Sequence, residues 1–281
     1  MNAVRRIGFA YNPTKEAAIE LSARAMAWCA ARGIESWAIA SGDTAALLAM
    51  LPAVDVLVVL GGDGTFLRAA RAVADVPAPI VGVNLGKVGF LSKAEAHELE
   101  GLLEKIADGR FELQDRMAMR GSIDAAAGGE PRTFVALNDV VVARGALARV
   151  VHLDVEIGPS HLATFIADGL VVASPTGSTG YSFSAGGPIL DPLSRNLIVT
   201  PIAAYLSALG SVVVSPDQVV RCRVLAALEA LVSVDGREDY RLAVGDSITV
   251  AALERPIRFL EPEGAVPFWD LLRRKAQLLP S

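Results

Sequence analysis

Hydrophobic and polar positions follow two rhythms along this chain. Up to about residue 115, short apolar runs alternate with stretches whose apolar residues recur every three or four positions. RIGFAYN (6–12) predicts a first strand that stops at Asn12-Pro13. Ile19, Ala23, Met26 and Ala30 recur at helical spacing, and Gly33 is placed to end that helix. ESWAIA (35–40) predicts a second strand, a short Ala/Leu helix follows, and VDVLVVL (54–60) reads as a strand buried on both faces. PIVGVNLG (79–86) is a further strand, after which Leu99, Leu102, Leu103 and Ile106 mark one face of another helix. Alternating elements of this kind build a parallel sheet covered by helices, an α/β domain.

From about Met117 the rhythm shortens. MAMRGSID, RTFVALNDVVVA, VVHLDVEIG, HLATFIADGLVVAS, SVVVSP, QVVRCRVL, EALVSVDG and SITVAAL are β-rich runs separated by Gly, Pro and Asp. They predict an all-β, sandwich-like C-terminal domain. PFWDLLRRKAQLL (267–279) is helical again and is expected to return to the first domain, with RRK (273–275) on a solvated face. The expected division is residues 1–115 with the helix 266–281, and residues 116–265.

Composition narrows the class. A chain of 281 residues, 52% hydrophobic and 20% charged, can bury the cores of two domains. A net charge of −5 and a pI near 5.3 argue against a nucleic-acid surface, which needs clustered Lys and Arg. Cys29 and Cys222 match no metal or redox spacing, as expected of a reduced, cytoplasmic protein. The first residues carry two arginines but no long apolar core, so no signal peptide is expected. Residues 197–214 are free of charge over nearly a membrane-spanning length. Pro201, Ser207, Gly210 and Ser211 interrupt them, which predicts strand, irregular piece and strand.

Candidate chemistry concentrates in two glycine-rich blocks. In VVLGGDGTFLRAARAV (58–73) a buried strand ends in three glycines around Asp63, and a helix follows at once. Loops at the C-terminal ends of parallel strands bind ligands in open α/β sheets. Glycines there let backbone N–H groups approach phosphate oxygens, and the helix N-terminus favours negative charge. The dinucleotide fingerprint fails, because counting from Gly62 it needs glycine where Leu67 stands, and no P-loop is present. Asp63 is open to two readings: a helix cap, or an acid that deprotonates a hydroxyl or helps hold a metal ion.

The second block, DGLVVASPTGSTGYSFSAGGPILDP (168–192), packs five Ser/Thr hydroxyls and two glycines between Thr176 and Ser184. Backbone amides, hydroxyls and the Tyr181 ring suit the phosphates, ribose and flat bases of a nucleotide; the plain alternative is a Ser/Gly-rich hairpin loop. Asn138 and Asp139 interrupt an apolar run, as satisfied core groups, a bulge, or readers of base edges and ribose hydroxyls. His97, His152 and His161 fit no zinc pattern, and Ser174 and Ser178 lack a nucleophile elbow.

GGDGT (61–65), VGVNLGKVGFL (81–91), LND (137–139), DGLVVASPTGSTGYSFSAGGP (168–188) and VDGR (234–237) together resemble the NAD kinases in order and spacing. The resemblance implies NAD held at the junction of the two domains, ATP or polyphosphate as donor, and a homodimer or homotetramer. It implies a divalent metal ion, Mg²⁺ or Mn²⁺, held mainly by substrate phosphates, and no membrane or nucleic-acid partner. The reaction implied is phosphorylation of the 2′-hydroxyl of the adenosine ribose to give NADP. By the same resemblance Asp63 is the proton acceptor, Gly64 lies beside NAD, and Arg68 lies near its phosphates. Asn138, Asp139, Arg149, Asp168, Thr179, Gly180, Tyr181, Ser182, Phe183, Ser184 and Arg237 fall on ligand-contacting positions. Asp139 stands where many members have Glu, Arg237 where Gln is common, and Gly180 where Ala is common. Ile166 replaces a residue often basic or small, and PIAAYLS (201–207) lacks a histidine many bacterial members carry. Diacylglycerol, sphingosine and phosphofructo-kinases carry loops similar to GGDGT. A lipid kinase and a non-catalytic dinucleotide sensor therefore stay open as alternatives.

Overall fold

A computed structural model describes residues 4–86, 89–145 and 149–277. The chain forms two compact units, residues 1–115 with 257–281, and residues 116–256. The first unit runs β1 (Arg6–Tyr11), α1 (Glu16–Ala30), β2 (Glu35–Ala40), α2 (Thr44–Met50), β3 (Val56–Leu60), α3 (Asp63–Ala72), β4 (Ile80–Asn84), β5 (Ser92–Glu95), α4 (Leu99–Ala107) and β6 (Phe111–Arg116). Its sheet has the order β2-β1-β3-β4, then the strand Ile257–Pro262, then β6, with β5 also on β4. The pairs β1–β2, β1–β3, β3–β4 and β4–β5 are parallel. Every residue of β3 and β4 is buried, because helices cover both faces.

Two expectations about this unit are corrected. The domain boundary expected at 265 falls at 256, since Ile257–Pro262 pairs in parallel with β4 through Phe259 and Ile80. Phe259 also packs on Phe66 of α3, with ring centroids 5.0 Å apart. On α1, the stripe of Ile19 and Met26 faces solvent, and Leu21, Ala25, Trp28 and Cys29 face the sheet. There they meet Leu99, Leu102, Leu103 and Ile106 of α4, which form the buried face their spacing predicts.

The second unit contains β7 (Met119–Asp124), β8 (Arg132–Ala136), β9 (Asp139–Arg144), β10 (Val151–Ile157), β11 (Ser160–Ala167), β12 (Gly169–Ala173), α5 (Tyr181–Ser184), β13 (Leu197–Ile202), β14 (Val212–Val214), β15 (Val220–Ala226), β16 (Ala230–Val234), β17 (Glu238–Leu242) and β18 (Ser247–Ala252). They build two antiparallel sheets of six strands, β11-β10-β15-β18-β7-β8 and β14-β13-β12-β9-β16-β17. Alternate residues of both sheets, among them Phe134, Leu153, Phe165, Val142, Leu170 and Val232, fill the space between them. The charge-free stretch 197–214 is β13, an irregular piece and β14, as its interruptions predict.

Two runs that read as single strands are each split between the sheets. Leu137 and Asn138 separate β8 of one sheet from β9 of the other, and Asp168 alone separates β11 from β12. A polar residue inside an apolar run marks the point where the chain crosses. The crossing therefore places polar side chains at the rim of the sandwich.

Candidate functional site

In the α/β unit, β3 delivers the glycine loop to the start of α3. Gly61 N–H still bonds Val83 O in the sheet at 3.0 Å, and Gly62 is the N-cap, so Asp63 is the first residue of the helix. The capping reading of Asp63 therefore fails: no side chain caps α3. The carboxylate turns instead to the chain after β4, where Oδ2 accepts the Phe90 N–H at 3.3 Å. Asp63 Oδ1 is buried without a hydrogen-bond partner. A methyl group built on Gly89 would overlap that oxygen, so the acid occupies the place of the missing side chain.

The loop glycines have different causes. A side chain at Gly61 would strike Thr65 of α3. At Gly62 nothing lies within 4 Å of the place a Cβ would take, and its φ of −89° is open to any residue. Packing explains Gly61 and leaves Gly62 unexplained; a glycine at this place lets an anion approach the backbone N–H groups at a helix N-terminus. Arg68, on the same helix, is held to the buried Ser41 hydroxyl by Nη2 at 3.1 Å and Nε at 3.3 Å.

In the β-rich unit the crossing at Asn138 is clamped by one acid. Asp235 Oδ1 accepts the N–H groups of Asn138 and Asp139 at 2.8 and 3.2 Å, and Oδ2 accepts that of Leu137 at 3.1 Å. Asp235 is buried with φ at +51°, inside the turn that joins β16 to β17. From the other side Ser174 Oγ donates to Leu137 O at 2.5 Å, and Ser174 N–H donates to Asn138 O at 2.9 Å. Gly177 packs so closely on the Asn138 carbonyl that no side chain would fit there.

This clamp leaves two polar atoms without partners, Asn138 Oδ1 and Thr176 Oγ1, both buried. Buried polar groups are nearly always paired, so two orphans on adjoining loops make this crossing a candidate ligand site. Asp139 is 7% exposed and accepts the Tyr181 N–H. Burial, and then the Asp235 charge, push its carboxyl up to about 7, against a smaller opposing effect of that hydrogen bond.

The block 168–192 is no hairpin loop. After β12, residues Thr176–Thr179 make a tight helical turn and Tyr181–Ser184 form α5. Ser182 is buried and lies 3.3 Å from the Thr200 hydroxyl, while Tyr181 and Phe183 present half-exposed rings. Thr179, Gly180 and Ser184 complete this turn; Gly180 N–H bonds Gly177 O at 2.9 Å. Asp168 forms a two-bond ion pair with Arg144, at 2.7 and 3.4 Å. Arg149 and Arg237 face solvent. Sequence reading passed over Thr176 and Asp235 as site residues. Thr176 sat unmarked among its hydroxyl neighbours, and Asp235 entered only as part of VDGR (234–237), where Arg237 was the residue singled out.

Lys275 also differs from expectation. The helix Phe268–Gln277 packs on the chain after β4 that bonds Asp63, with the Phe268 and Phe90 centroids 6.2 Å apart. Lys275 Nζ stands 4.2 Å from the centre of the Phe90 ring, so RRK is not wholly a solvated face. Arg273 does face outward, paired with Asp270 at 3.1 Å.

Phosphate-approach glycines beside a lone acid, and a separate polar cradle on a β-sandwich, are the division of labour of a nucleotide-dependent phosphotransferase. Comparison with known proteins agrees. Residues 43–111 match the ATP-NAD kinase N-terminal domain and residues 137–261 the ATP-NAD kinase C-terminal domain. The NAD kinase of Moorella thermoacetica is 42% identical over 220 residues, covering 78% of this chain and 70% of its own. That of Heliobacterium modesticaldum is 37% identical over 279 residues, covering 96% and 98%. A crystal structure of an NAD kinase from Archaeoglobus fulgidus in complex with ATP superposes with a TM-score of 0.75 at 25% identity, over 98% of this chain and 100% of that one. Yeast NADH kinase complexed with NADH shares the fold at a TM-score of 0.86 and 21% identity, over 100% and 89%. The chain belongs to the NAD kinase family.

Proposed function

We propose that the protein phosphorylates the 2′-hydroxyl of the adenosine ribose of NAD, with ATP as donor and Asp63 as the proton acceptor. The observation that carries this reading is the unpartnered, buried Oδ1 of Asp63 at the N-terminus of α3, next to a Gly62 that packing does not require. In the reaction the ribose 2′-oxygen bonds the terminal phosphorus and the bond from that phosphorus to the donor's bridging oxygen breaks. The hydroxyl proton passes to Asp63, and ADP leaves. A carboxylate is a weak base toward an alcohol, so its benefit is orientation and late removal of the proton. The free N–H groups of the first helical turn offset charge on the donor phosphates.

Asn138 and Thr176 supply the unpaired oxygens that NAD would satisfy, and Asp139 adds a carboxyl that is partly protonated near neutral pH. Arg68, Gly64, Arg149, Asp168, Arg237 and residues 179–184 complete the proposed contacts. Among the described residues no three His, Cys, Asp or Glu side chains cluster into a metal cage, and Asp63 is the lone acid of its loop. That donor set fits a divalent cation carried mainly by the substrate phosphates, and when bound it neutralises phosphate charge. Polyphosphate would meet the same amides as ATP.

A lipid kinase with the same glycine loop would need an apolar acceptor cleft, and the polar orphans Asn138 and Thr176 disfavour it. We further propose a cytoplasmic homo-oligomer. Both cysteines are free, and Tyr205 and Leu206 stand 67% and 87% exposed on the piece between β13 and β14, which suits a second copy. Among the described residues no helix is long and apolar enough to cross a membrane. The test is incubation of the pure protein with NAD, ATP and Mg²⁺, scored with an NADP-specific dehydrogenase. NADP formation supports the reading; its absence alongside phosphorylation of a diacylglycerol would replace it.

A further inference from the structure

We propose that Lys275 is a positioning residue of the Asp63 centre, whose ammonium offsets the carboxylate where an anionic phosphate must approach. The proposal rests on the kinase reading above and adds a residue from the far end of the chain to it.

The connection runs through Phe90. Its backbone N–H donates to Asp63 Oδ2 at 3.3 Å, and its ring carries the Lys275 ammonium at 4.2 Å. The neighbouring Gly89 backs onto the other carboxylate oxygen. One short segment thus holds both the acid and the cation. The helix that brings Lys275 is fixed by Phe268, which lies on Phe90 and also meets Trp269 edge-on at 5.0 Å and 73°. Positions 268 and 275 are seven apart, two helical turns, so both fall on the face turned to the loop.

The chemistry gives this placement a purpose. The N-terminus of α3 attracts phosphate, while Asp63 at its first position repels it. A cation beside the carboxylate removes that conflict without occupying the unpartnered Oδ1. Burial lowers the Lys275 amine from its ordinary range and the Asp63 charge raises it, so the two groups lie in each other's field. The Phe90 face adds a cation–π attraction that keeps the ammonium in place. A solvated helix face would require none of these contacts.

The test compares Lys275→Met, Lys275→Arg and Lys275→Cys with the wild type in the NADP-forming assay, beside a direct NAD titration. Loss of one charge-assisted interaction predicts that Lys275→Met lowers kcat/KM for ATP about 10–100-fold. NAD affinity should stay within about twofold, and Lys275→Arg should keep most of the activity. Alkylating Lys275→Cys with 2-bromoethylamine rebuilds an ammonium of nearly the same length, and should restore the rate. Iodoacetamide, which adds a neutral group, should not. Both native cysteines are buried, and burial pushes the Cys222 thiol up to about 12, so the reagent meets only the new one. A wild-type rate in Lys275→Met, or equal recovery with the neutral reagent, would overturn the proposal and leave the kinase reading intact. A wild-type protein that forms no NADP would overturn both.

Discussion

Asp139 offers a stability test whose sign and size follow from its surroundings. It is 7% exposed, faces Asp235, and accepts the Tyr181 N–H, and its carboxyl is pushed from 3.8 up to about 7. The folded protein therefore keeps a proton that the unfolded chain has released. Its stability should fall as pH rises from about 4 to about 7, and level off above that. At 1.36 kcal/mol per decade the full effect is on the order of 4 kcal/mol. Asp139→Asn keeps the shape and an oxygen for Tyr181 N–H but cannot ionise. The variant should gain on the wild type by about 2–3 kcal/mol between pH ~5 and pH ~8. All three tryptophans, Trp28, Trp37 and Trp269, lie in the α/β unit, so fluorescence would miss the relevant transition. Urea unfolding of the full chain at both pH values, followed by far-ultraviolet circular dichroism, reports on the β-sandwich. Parallel profiles for variant and wild type would refute the argument, because they would mean that Asp139 titrates alike in both states.

Three further perturbations follow from single contacts. Asp235→Ala leaves three backbone N–H groups without their acceptor and should destabilise the β-rich unit by about 2–4 kcal/mol in the same urea assay; an unchanged midpoint would mean that the clamp carries no weight. Gly89→Ala places a methyl group on the Asp63 carboxylate and should lower kcat at least about tenfold with little change in Tm; full activity would show that the acid can move freely. Asn138→Ala should raise KM for NAD by a factor equivalent to roughly 1–3 kcal/mol while the KM for ATP changes less. An NAD affinity unchanged per folded molecule would return Asn138 to the role of a core group.

The alternation of strand and helix in the first unit, and the short β-runs of the second, were legible because burial imposes period on composition. The buried β3 and the apolar face of α4 could be read directly. On α1 the phase came out wrong. Alanines at 17, 18, 23, 25, 27 and 30 lie on every side of that helix, so small residues blur the stripe. The bulky Leu21 and Trp28, seven apart, decide which side is buried. Asn138 and Asp139 stood out as polar residues in an apolar run, and the reason, a crossing between two sheets, needed the fold. Contacts between distant segments left no local signal. Gly89 beneath Asp63, Asp235 beneath Asn138 and Lys275 over Phe90 join residues 26, 97 and 185 positions apart. Even the strand Ile257–Pro262 carried the same apolar pattern as its β-rich neighbours in sequence, and only pairing with β4 assigns it to the first sheet.

The central claim is that Asp63 takes the proton, and Asp63→Asn tests it most directly. The substitution keeps the size and an oxygen able to accept the Phe90 N–H, and removes only the charge and the basic site. Turnover and a direct NAD titration on the same folded variant are the measurement. The account predicts that kcat falls by about 10²–10⁴, the range for a positioned acid–base group, while NAD affinity is retained or slightly tightened. Near-wild-type turnover, or turnover and NAD affinity lost together, would contradict it.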